Sequence, residues 1–270
     1  MHRVTIAIPL YNKARYIGET LESALGQTYR DIEVLVVDNC STDGSYEIVT
    51  GYQDSRIRAV RHPENLGLIA NFNSALELAQ GEFVKILCAD DLLGPECVAK
   101  QVAALDAAGT KAAMAVSQHD FISAHGRRLI RHTGVPGMSG YYSPAETFRI
   151  IRDAAGNIFG TEAHVLFRKS ALADIEWYRE GYTEIDFFLR LLTTGGVVVL
   201  PESLSSVRMS TSSNSFRLAR TYATTFNAAV AEAIESGRFG VVPPATRKHR
   251  LLTVKHVAVF RAIQFVGARI

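Results

Sequence analysis

Residues 1–100 alternate between short apolar segments and segments with helical periodicity. Four of the apolar segments are rich in valine and isoleucine, which is typical of strands buried on both faces of a sheet. Strands that alternate with helices at this spacing predict βαβ units around a mostly parallel sheet. The predicted strands are VTIAIPL (4–10), IEVLVVD (32–38), IRAVRH (57–62) and EFVKILC (82–88), and the predicted helices cover residues 14–27, 45–53 and 67–81.

The second half of the chain is less regular. A stretch rich in glycine, proline and serine at 134–144 predicts a loop, and from Phe216 onward the pattern is helical. Strands are predicted at 112–123, 127–133, 164–169 and 196–203, with a helix at 183–195.

Composition excludes several classes of protein. A chain of 270 residues with 47% hydrophobic and 21% charged residues can bury a large core, so we expect one large domain, with or without an appendage. Its three cysteines form no CxxC pair, which argues against a disulfide framework and favours a reducing compartment. We recognise neither a signal peptide nor a run of about 20 apolar residues. We therefore expect a soluble or peripheral protein in the cytoplasm.

Polar side chains follow each of the first four predicted strands. In an open parallel sheet, ligands bind beyond the carboxyl ends of the strands, so these side chains are expected along one edge. They are Tyr11 and Asn12 after the first strand, Asp38 after the second, Asn65 after the third, and Asp90 and Asp91 after the fourth.

Asp38 and Tyr11 are candidates for binding a nucleoside. The carboxylate can accept hydrogen bonds from a base N–H or a ribose hydroxyl, and the ring offers a surface on which a base can stack. The alternative is structural, because Asp38 and Asp43 are also residues that cap a helix or shape a turn. The sequence leaves both interpretations open.

Asp90 and Asp91 are adjacent carboxylates with no basic residue within several positions. Mg²⁺ or Mn²⁺ prefers oxygen ligands, takes one or two protein carboxylates and completes its shell with phosphate oxygens and water. A cation shared with a diphosphate would therefore remove the repulsion between the two acids. The alternative is a solvated turn that caps a helix beginning near Gly94 or Pro95.

Glu184 and Asp186 form another acidic pair, at the start of the helix predicted at 183–195. Acids in the first helical turn interact favourably with the helix dipole, so capping is one interpretation. The other is catalytic, because a carboxylate at the sheet edge can accept a proton from an acceptor hydroxyl as a general base.

Three segments together resemble the family 2 glycosyltransferases of the GT-A fold: VTIAIPLYNKARYIGETLESALGQTYRDIEVLVVDNCSTDGS, ENLGLIANFNSALELAQGEFVKILCADD and TEIDFFLRLL. The resemblance covers roughly residues 4–210. It implies an α/β, Rossmann-like, mostly parallel sheet flanked by helices. It also implies a metal-dependent inverting enzyme that moves a sugar from a nucleotide-diphosphate sugar to an acceptor hydroxyl, in polysaccharide or glycoconjugate biosynthesis.

The resemblance also implies roles for individual residues. The family motif Pro-x-Tyr-Asn, which lines the base, corresponds to residues 9–12, and the catalytic acid corresponds to Glu184, with Asp186 as a second acid. Mn²⁺ or Mg²⁺ is implied at Asp90 and Asp91, with a UDP- or dTDP-linked donor. The residues implied in donor binding are Pro9, Tyr11, Asn12, Asp38, Asn65, Asp90 and Arg208.

Four positions depart from the family's pattern. Cys88 replaces the first Asp of the acidic signature, and Phe72 stands where many members have an Arg toward the phosphates. Ser210 replaces a frequent His near the diphosphate, which leaves Arg208 as the local cation, and Glu184 is one methylene longer than the usual Asp. The missing Asp and Arg, at Cys88 and Phe72, keep open a non-catalytic nucleotide- or glycan-binding module. A sugar-phosphate nucleotidyltransferase is disfavoured, because no Gly-rich phosphate loop follows the first strand.

The expected division is a GT-A catalytic domain at 1–215 and a helical extension at 216–270. Within the domain, residues 1–100 bind the nucleotide sugar and residues 101–215 bind the acceptor, a glycan or a lipid-linked molecule. After Glu235 the extension has basic but no acidic residues. Contact with the inner face of an anionic membrane and packing against the domain or a second subunit both remain open. Nucleic acid is not expected, because aromatic platforms are lacking.

Overall fold

The computed structural model describes residues 2–135, 137–181, 184–209 and 222–240. The strands within these residues are β1 (Val4–Leu10), β2 (Ile32–Asp38), β3 (Ile57–Arg61), β4 (Phe83–Ile86), β5 (Leu92–Leu93), β6 (Ala112–Ser123), β7 (Arg128–Thr133), β8 (Gly140–Tyr142), β9 (Val165–Arg168) and β10 (Gly196–Met209). They form one sheet in the order β3-β2-β1-β4-β9-β6-β10-β5, with β7 paired to β6 and β8 paired to β10.

Helices cover both faces of this sheet. They are α1 (Ile17–Leu25), α2 (Ser45–Thr50), α3 (Leu68–Leu78), α4 (Cys97–Ala108), α5 (Pro144–Ala154), α6 (Glu184–Leu192) and α7 (Tyr222–Glu235). One apolar layer lies between the sheet and α1 and α4, and a second lies between the sheet and α3, α5, α6 and α7. Along β1, Ile6 and Ile8 face the first layer and Ala7 faces the second. The predicted α/β fold is confirmed.

The four strands at one side of the sheet run parallel, in the order β3-β2-β1-β4. Next to them, β9 is inserted antiparallel between β4 and β6. The prediction that β3 is buried on both faces was wrong, because β3 is the edge strand and its residues are partly exposed. Arg58 of β3 pairs with Glu33 of the neighbouring strand β2 at 2.6 Å.

The second half confirms the predicted strand and return strand as β6 and β7, which are antiparallel. Strand β10 is longer than predicted and reaches Met209. The stretch at 134–144, predicted as a loop, contains β8 and leads into α5, which was not predicted. A signal for α5 was present, since Ser143, Pro144 and Glu146 form a capping box with proline in the first turn.

Helix α7 belongs to the extension predicted at 216–270. Its Phe226 and Val230 are buried in the second apolar layer, and Glu232 pairs with Arg179 at 2.9 Å. This part of the extension therefore packs on the sheet domain. Residues 241–270, on which the membrane and dimer alternatives depend, lie outside the described residues. Among the helices described, none is both long enough and apolar enough to cross a bilayer.

A buried lysine holds the turn that precedes β9. Lys85 is 0% exposed, and its ammonium donates to the carbonyl oxygens of Ala163 (2.8 Å) and Val165 (3.1 Å). The side-chain amide of Gln101 donates to the carbonyl between them, that of His164 (2.6 Å). Burial lowers the pKa of Lys85. Three consecutive carbonyl groups are thus bound by two buried side chains, which fixes the turn.

Two buried histidines stack next to this turn. The rings of His119 and His164 are 3.7 Å apart and nearly parallel, and Nδ1 of His164 lies 2.6 Å from the Ser205 hydroxyl. Burial lowers the pKa of His119 to about 4 and lowers that of His164 as well. Both rings are therefore neutral at ordinary pH.

We expect the protein to lose stability as the pH falls from about 7.5 to about 5. The folded state keeps His119 neutral down to a pKa of about 4, whereas the unfolded chain binds a proton near pH 6.5. The unfolded state therefore holds more protons in this range, which costs the folded state about 2 kcal/mol. Thermal unfolding of His119→Gln should show a smaller decrease in Tm over this range. The exposed His125→Gln serves as the control, and an equal effect of both variants would contradict the prediction.

Candidate active site

The loops that follow β1 and β2 are tied to each other. The backbone N–H of Asn12 donates to the Ser41 hydroxyl, and its side-chain oxygen accepts from the N–H of Thr42, both at 2.9 Å. Asn12 has a φ of +50°, which asparagine tolerates better than most residues. Pro9 is buried within β1, whereas Tyr11 is 44% exposed. The tyrosine ring is therefore accessible to a ligand.

Asp38, at the end of β2, has no exposed surface. Its two oxygens accept from the N–H of Ser41 (3.3 and 3.2 Å), and Nε of Arg61 lies 3.2 Å from one of them. Arg61 also donates to the Ser41 carbonyl at 2.7 Å and lies over the Tyr46 ring. The turn-shaping role considered for Asp38 is present, and its contact with a base stays a prediction.

Asn65 holds the loop that precedes α3. Its side-chain oxygen accepts from the Asn39 amide and from the N–H of Gly67, both at 2.9 Å. Asn39 is 2% exposed and also accepts from the N–H of Leu66. Asn65 thus has a structural role in this loop, and its contact with a donor stays a prediction.

Asp90 and Asp91 occupy a turn after β4 and are 7% and 3% exposed. A side-chain oxygen of Asp91 accepts from the backbone N–H of Arg208 (2.9 Å), and the Thr20 hydroxyl donates to the Asp91 carbonyl (3.0 Å). Burial, followed by the neighbouring Asp90 carboxylate, raises the pKa of Asp91 well above its usual range. Two carboxylates this close together in a desolvated environment repel each other. Their ionised forms are therefore unfavourable unless a cation lies nearby.

Lys13 supplies one cation to this pair. Its ammonium lies 2.5 Å from an oxygen of Asp90, and both side chains are mostly buried. No basic residue lies within several positions of the acids in sequence, so this cation comes from a distant part of the chain. A signal was available, since Lys13 lies next to Asn12 in the loop that follows β1.

Arg208, predicted as a cation for the diphosphate, is 2% exposed. Its guanidinium donates to Glu19 (2.6 Å) and to the carbonyls of Asp90 (2.9 Å) and Ala124 (3.3 Å), and it lies over the Tyr16 ring. The guanidinium is therefore occupied by contacts within the protein. Arg208 therefore supports the Asp90–Asp91 turn, and its contact with the diphosphate stays a prediction.

The acids at the start of α6 have different surroundings. Glu184 is partly buried, and one of its oxygens accepts from the side-chain amide of Asn157 (3.1 Å). Burial raises the pKa of Glu184. Asp186 is 4% exposed and accepts from Arg179 (2.6 and 3.1 Å), and Arg190 lies 2.6 Å from it. Two arginines therefore neutralise Asp186, whereas the hydrogen bond to Glu184 comes from a neutral amide.

Glu162 was not predicted as a site residue. It lies in the 3₁₀ turn Glu162–His164 just before β9, is 8% exposed, and has an oxygen 4.0 Å from the Cys88 sulfur. Burial, followed by the neighbouring Glu184 carboxylate, raises the pKa of Glu162 to about 8. Because β9 runs antiparallel to β4, its amino end lies at the edge where β4 ends. Only the topology reveals this placement.

Asp90, Asp91, Glu162 and Glu184 form what we call the acid cluster. The charge of Glu162 contributes to the raised pKa of Asp91, and the charge of Glu184 contributes to the raised pKa of Glu162. Glu162 therefore neighbours both the Asp90–Asp91 turn and Glu184. Beside the cluster, Phe72 packs edge-on against Tyr178, with ring centroids 5.2 Å apart.

The Asp90–Asp91 end of the acid cluster fits a hard divalent cation. Both residues offer carboxylate oxygens, and burial, followed by the Asp90 charge, raises the pKa of Asp91, so its ionised form is unfavourable without a nearby cation. Within the described ranges, no group of three His, Cys, Asp or Glu side chains is arranged to hold a metal. At this end, a Mg²⁺ or Mn²⁺ ion would use the two acids together with phosphate oxygens and water, as these ions commonly do.

Comparison with known proteins identifies relatives of part of the chain. The family model described as Glycosyl transferase family 2 matches residues 5–176. The succinoglycan biosynthesis protein ExoO of Rhizobium meliloti (strain 1021) is 35% identical over 126 residues. This match covers 47% of this chain and only 36% of that relative.

Two solved structures are similar over nearly the whole chain. TarS 1-349 of S. aureus, in complex with UDP-GlcNAc, has a TM-score of 0.63 at 17% identity and covers 99% of this chain and 89% of its own. The mannosyltransferase PcManGT from Pyrobaculum calidifontis, in complex with GDP-Man and Mn²⁺, has a TM-score of 0.61 at 19% identity and covers 98% and 74%. These likenesses confirm the GT-A fold. Because the family model also matches more than half of its residues, the chain belongs to glycosyl transferase family 2.

Proposed function

We propose that this chain is a metal-dependent, inverting glycosyltransferase that moves a sugar from a nucleotide-diphosphate sugar to an acceptor hydroxyl. The observation that carries the proposal is the acid cluster, which runs from paired acids at Asp90–Asp91 to a single carboxyl at Glu184. In an inverting displacement the nucleophile attacks from the face opposite the leaving group. Inversion therefore needs a diphosphate-binding group and a base on opposite sides of the sugar, and we assign these roles to the two ends of the acid cluster.

The Asp90–Asp91 turn and Lys13 would bind the diphosphate. The Lys13 ammonium contacts Asp90, so it lies where a phosphate held near that turn would meet it. A divalent metal held by Asp90 and Asp91 would stabilise negative charge on the departing diphosphate as a Lewis acid. The presence of Mn²⁺ with GDP-Man in PcManGT supports this assignment.

Glu184 is the proposed base, in preference to Asp186. Its carboxylate would take the hydroxyl proton while the acceptor oxygen bonds to the anomeric carbon and the bond to the diphosphate oxygen breaks. Burial raises the pKa of Glu184, which brings it toward the operating pH, as suits a general base. Asp186, bound by Arg179 and Arg190, would fix the helix turn that carries Glu184.

A UDP- or dTDP-linked sugar is the proposed donor, and a glycan or lipid-linked molecule is the proposed acceptor. The UDP-GlcNAc bound to TarS supports the first assignment. The part played by ExoO in succinoglycan biosynthesis, as its name states, supports a role in polysaccharide assembly. Such a role fits a cytoplasmic protein that works near the inner face of the membrane.

We expect the protein to release nucleotide diphosphate from at least one donor in a panel of UDP-, dTDP- and GDP-sugars. With Mn²⁺, release should exceed that with excess EDTA by at least about tenfold, because the leaving diphosphate requires charge compensation. Asp91→Asn should reduce this stimulation, whereas exposed Glu176→Gln should retain it. No release from any donor, together with no thermal shift by any nucleotide, would contradict the proposed function.

A further inference from the structure

Glu162 is held in the site by the fold around it. The carbonyls of the turn that it begins are bound by buried Lys85 and Gln101. The loop before it is tied to α6 by Asn157, whose amide donates both to the Gly160 carbonyl (2.6 Å) and to Glu184 (3.1 Å). A carboxyl on a turn with so many contacts has little freedom to move toward bulk water.

Glu162 lies between the two ends of the acid cluster. On one side its carboxyl is 4.0 Å from the sulfur of Cys88, which precedes the Asp90–Asp91 turn by two residues. On the other side it neighbours Glu184, and the buried Tyr178 hydroxyl lies beside it. The carboxyl therefore lies in the space between the two ends.

The transferred sugar has to occupy this space, a step that rests on the proposed function. The diphosphate binds at the Asp90–Asp91 end, and the attacking hydroxyl loses its proton to Glu184 at the other. The anomeric carbon lies in line between the leaving and attacking oxygens, so the sugar ring lies between the two ends. A side chain that faces this space meets the ring rather than the nucleotide.

We propose that Glu162 is a sugar-binding residue that accepts hydrogen bonds from hydroxyl groups of the transferred sugar. A nearly buried carboxyl is stable only when its oxygens find donors, and neighbouring sugar hydroxyls supply them in pairs. A carboxyl keeps acceptor oxygens whether it is ionised or protonated, so this role does not depend on its charge state. Glu162 would contribute to recognition of the sugar without contributing to recognition of the nucleotide.

Calorimetric binding of matched ligand pairs tests this assignment. Wild type, Glu162→Met and Glu162→Gln would be titrated, with Mn²⁺, with UDP and UDP-GlcNAc and with GDP and GDP-Man. For the nucleotide sugar that binds, we expect Glu162→Met to weaken affinity by about 10- to 100-fold, because sugar hydroxyls would be left without their acceptor in a buried place. Affinity for the corresponding nucleotide diphosphate should change by less than about threefold. Glu162→Gln, which keeps one acceptor oxygen, should lose less than Glu162→Met.

The exposed Glu176→Gln is the matched control and should bind both members of a pair like the wild type. If Glu162→Met weakens nucleotide and nucleotide sugar equally, Glu162 acts only through the turn and the assignment is wrong. An unchanged affinity for the nucleotide sugar also overturns it. Wild-type protein that binds no nucleotide at all would instead overturn the proposed function, and the assignment with it.

Discussion

Glu184→Gln is expected to lower kcat by about 10²- to 10⁴-fold, because a general base typically contributes a factor of this size. The substitution keeps the shape of the side chain and its contact with Asn157 but removes the oxygen that accepts the proton. Donor affinity should stay within about threefold of the wild type, since the donor's diphosphate binds at the other end of the acid cluster. Steady-state kinetics of transfer to an acceptor measures kcat, and calorimetry with the donor measures donor affinity.

The matched variant is Asp186→Asn, two residues further along the same helix. It removes a charge that two arginines neutralise, so we expect a lower Tm and a much smaller loss of kcat. The pH profile provides a further check. Because the base acts when ionised and burial raises the pKa of Glu184, activity should fall on the acid side at a higher pH than for an ordinary glutamate. Equal loss of transfer and donor affinity in Glu184→Gln would place the base elsewhere.

Gly81→Ala is expected to lower the free energy of unfolding by about 3 kcal/mol, which is the scale of severe overpacking in a core. A Cβ on Gly81 would lie 2.5 Å from the backbone nitrogen of Thr5 and 2.8 Å from the carbonyl oxygen of Phe83. Both are backbone atoms of paired strands, β1 and β4, so neither can move aside without disturbing the sheet. Chemical denaturation measures the change.

Gly18→Ala is the matched control for this substitution. The added Cβ would meet only the Tyr52 hydroxyl, at an ordinary 3.6 Å, and alanine favours the helical conformation by up to about 1 kcal/mol. The stability of Gly18→Ala should therefore equal or exceed that of the wild type. A Gly81→Ala protein as stable as Gly18→Ala would show that β1 and β4 can separate at this point.

Much of the first half of the fold could be predicted from sequence because its signals are local. Strands β1 and β2 were predicted with the observed bounds, since each is a continuous apolar run that ends at polar residues. The position of β3 in the sequence was predicted correctly, but its exposure to solvent was not. Exposure depends on where a strand lies within the sheet, which is set by its pairing with other strands. Helix α5 was missed although the capping box at Ser143 and Glu146 marks its start.

The candidate site was less predictable because several of its contacts join distant parts of the chain. Asp90 and Asp91 could be predicted as site residues because they come shortly after an apolar strand in the sequence. The contact of Lys13 with Asp90 could not, because the two residues are 77 positions apart. The position of Glu162 depends on β9 being antiparallel, which periodicity does not indicate. Arg208 was identified as a cation near the site, yet only its contacts with Glu19 and with backbone carbonyls show which way it points.

The attachments of the Asp90–Asp91 turn have a consequence for ligand association. Thr20 from α1 and Arg208 from β10 secure this turn before any ligand arrives. Ordering a flexible segment costs about 1–2 kcal/mol per residue, and here that cost is already met when the chain folds. The turn that would bind the diphosphate is therefore in place before the nucleotide sugar arrives. Association of the nucleotide sugar should be fast and should involve little rearrangement of the backbone.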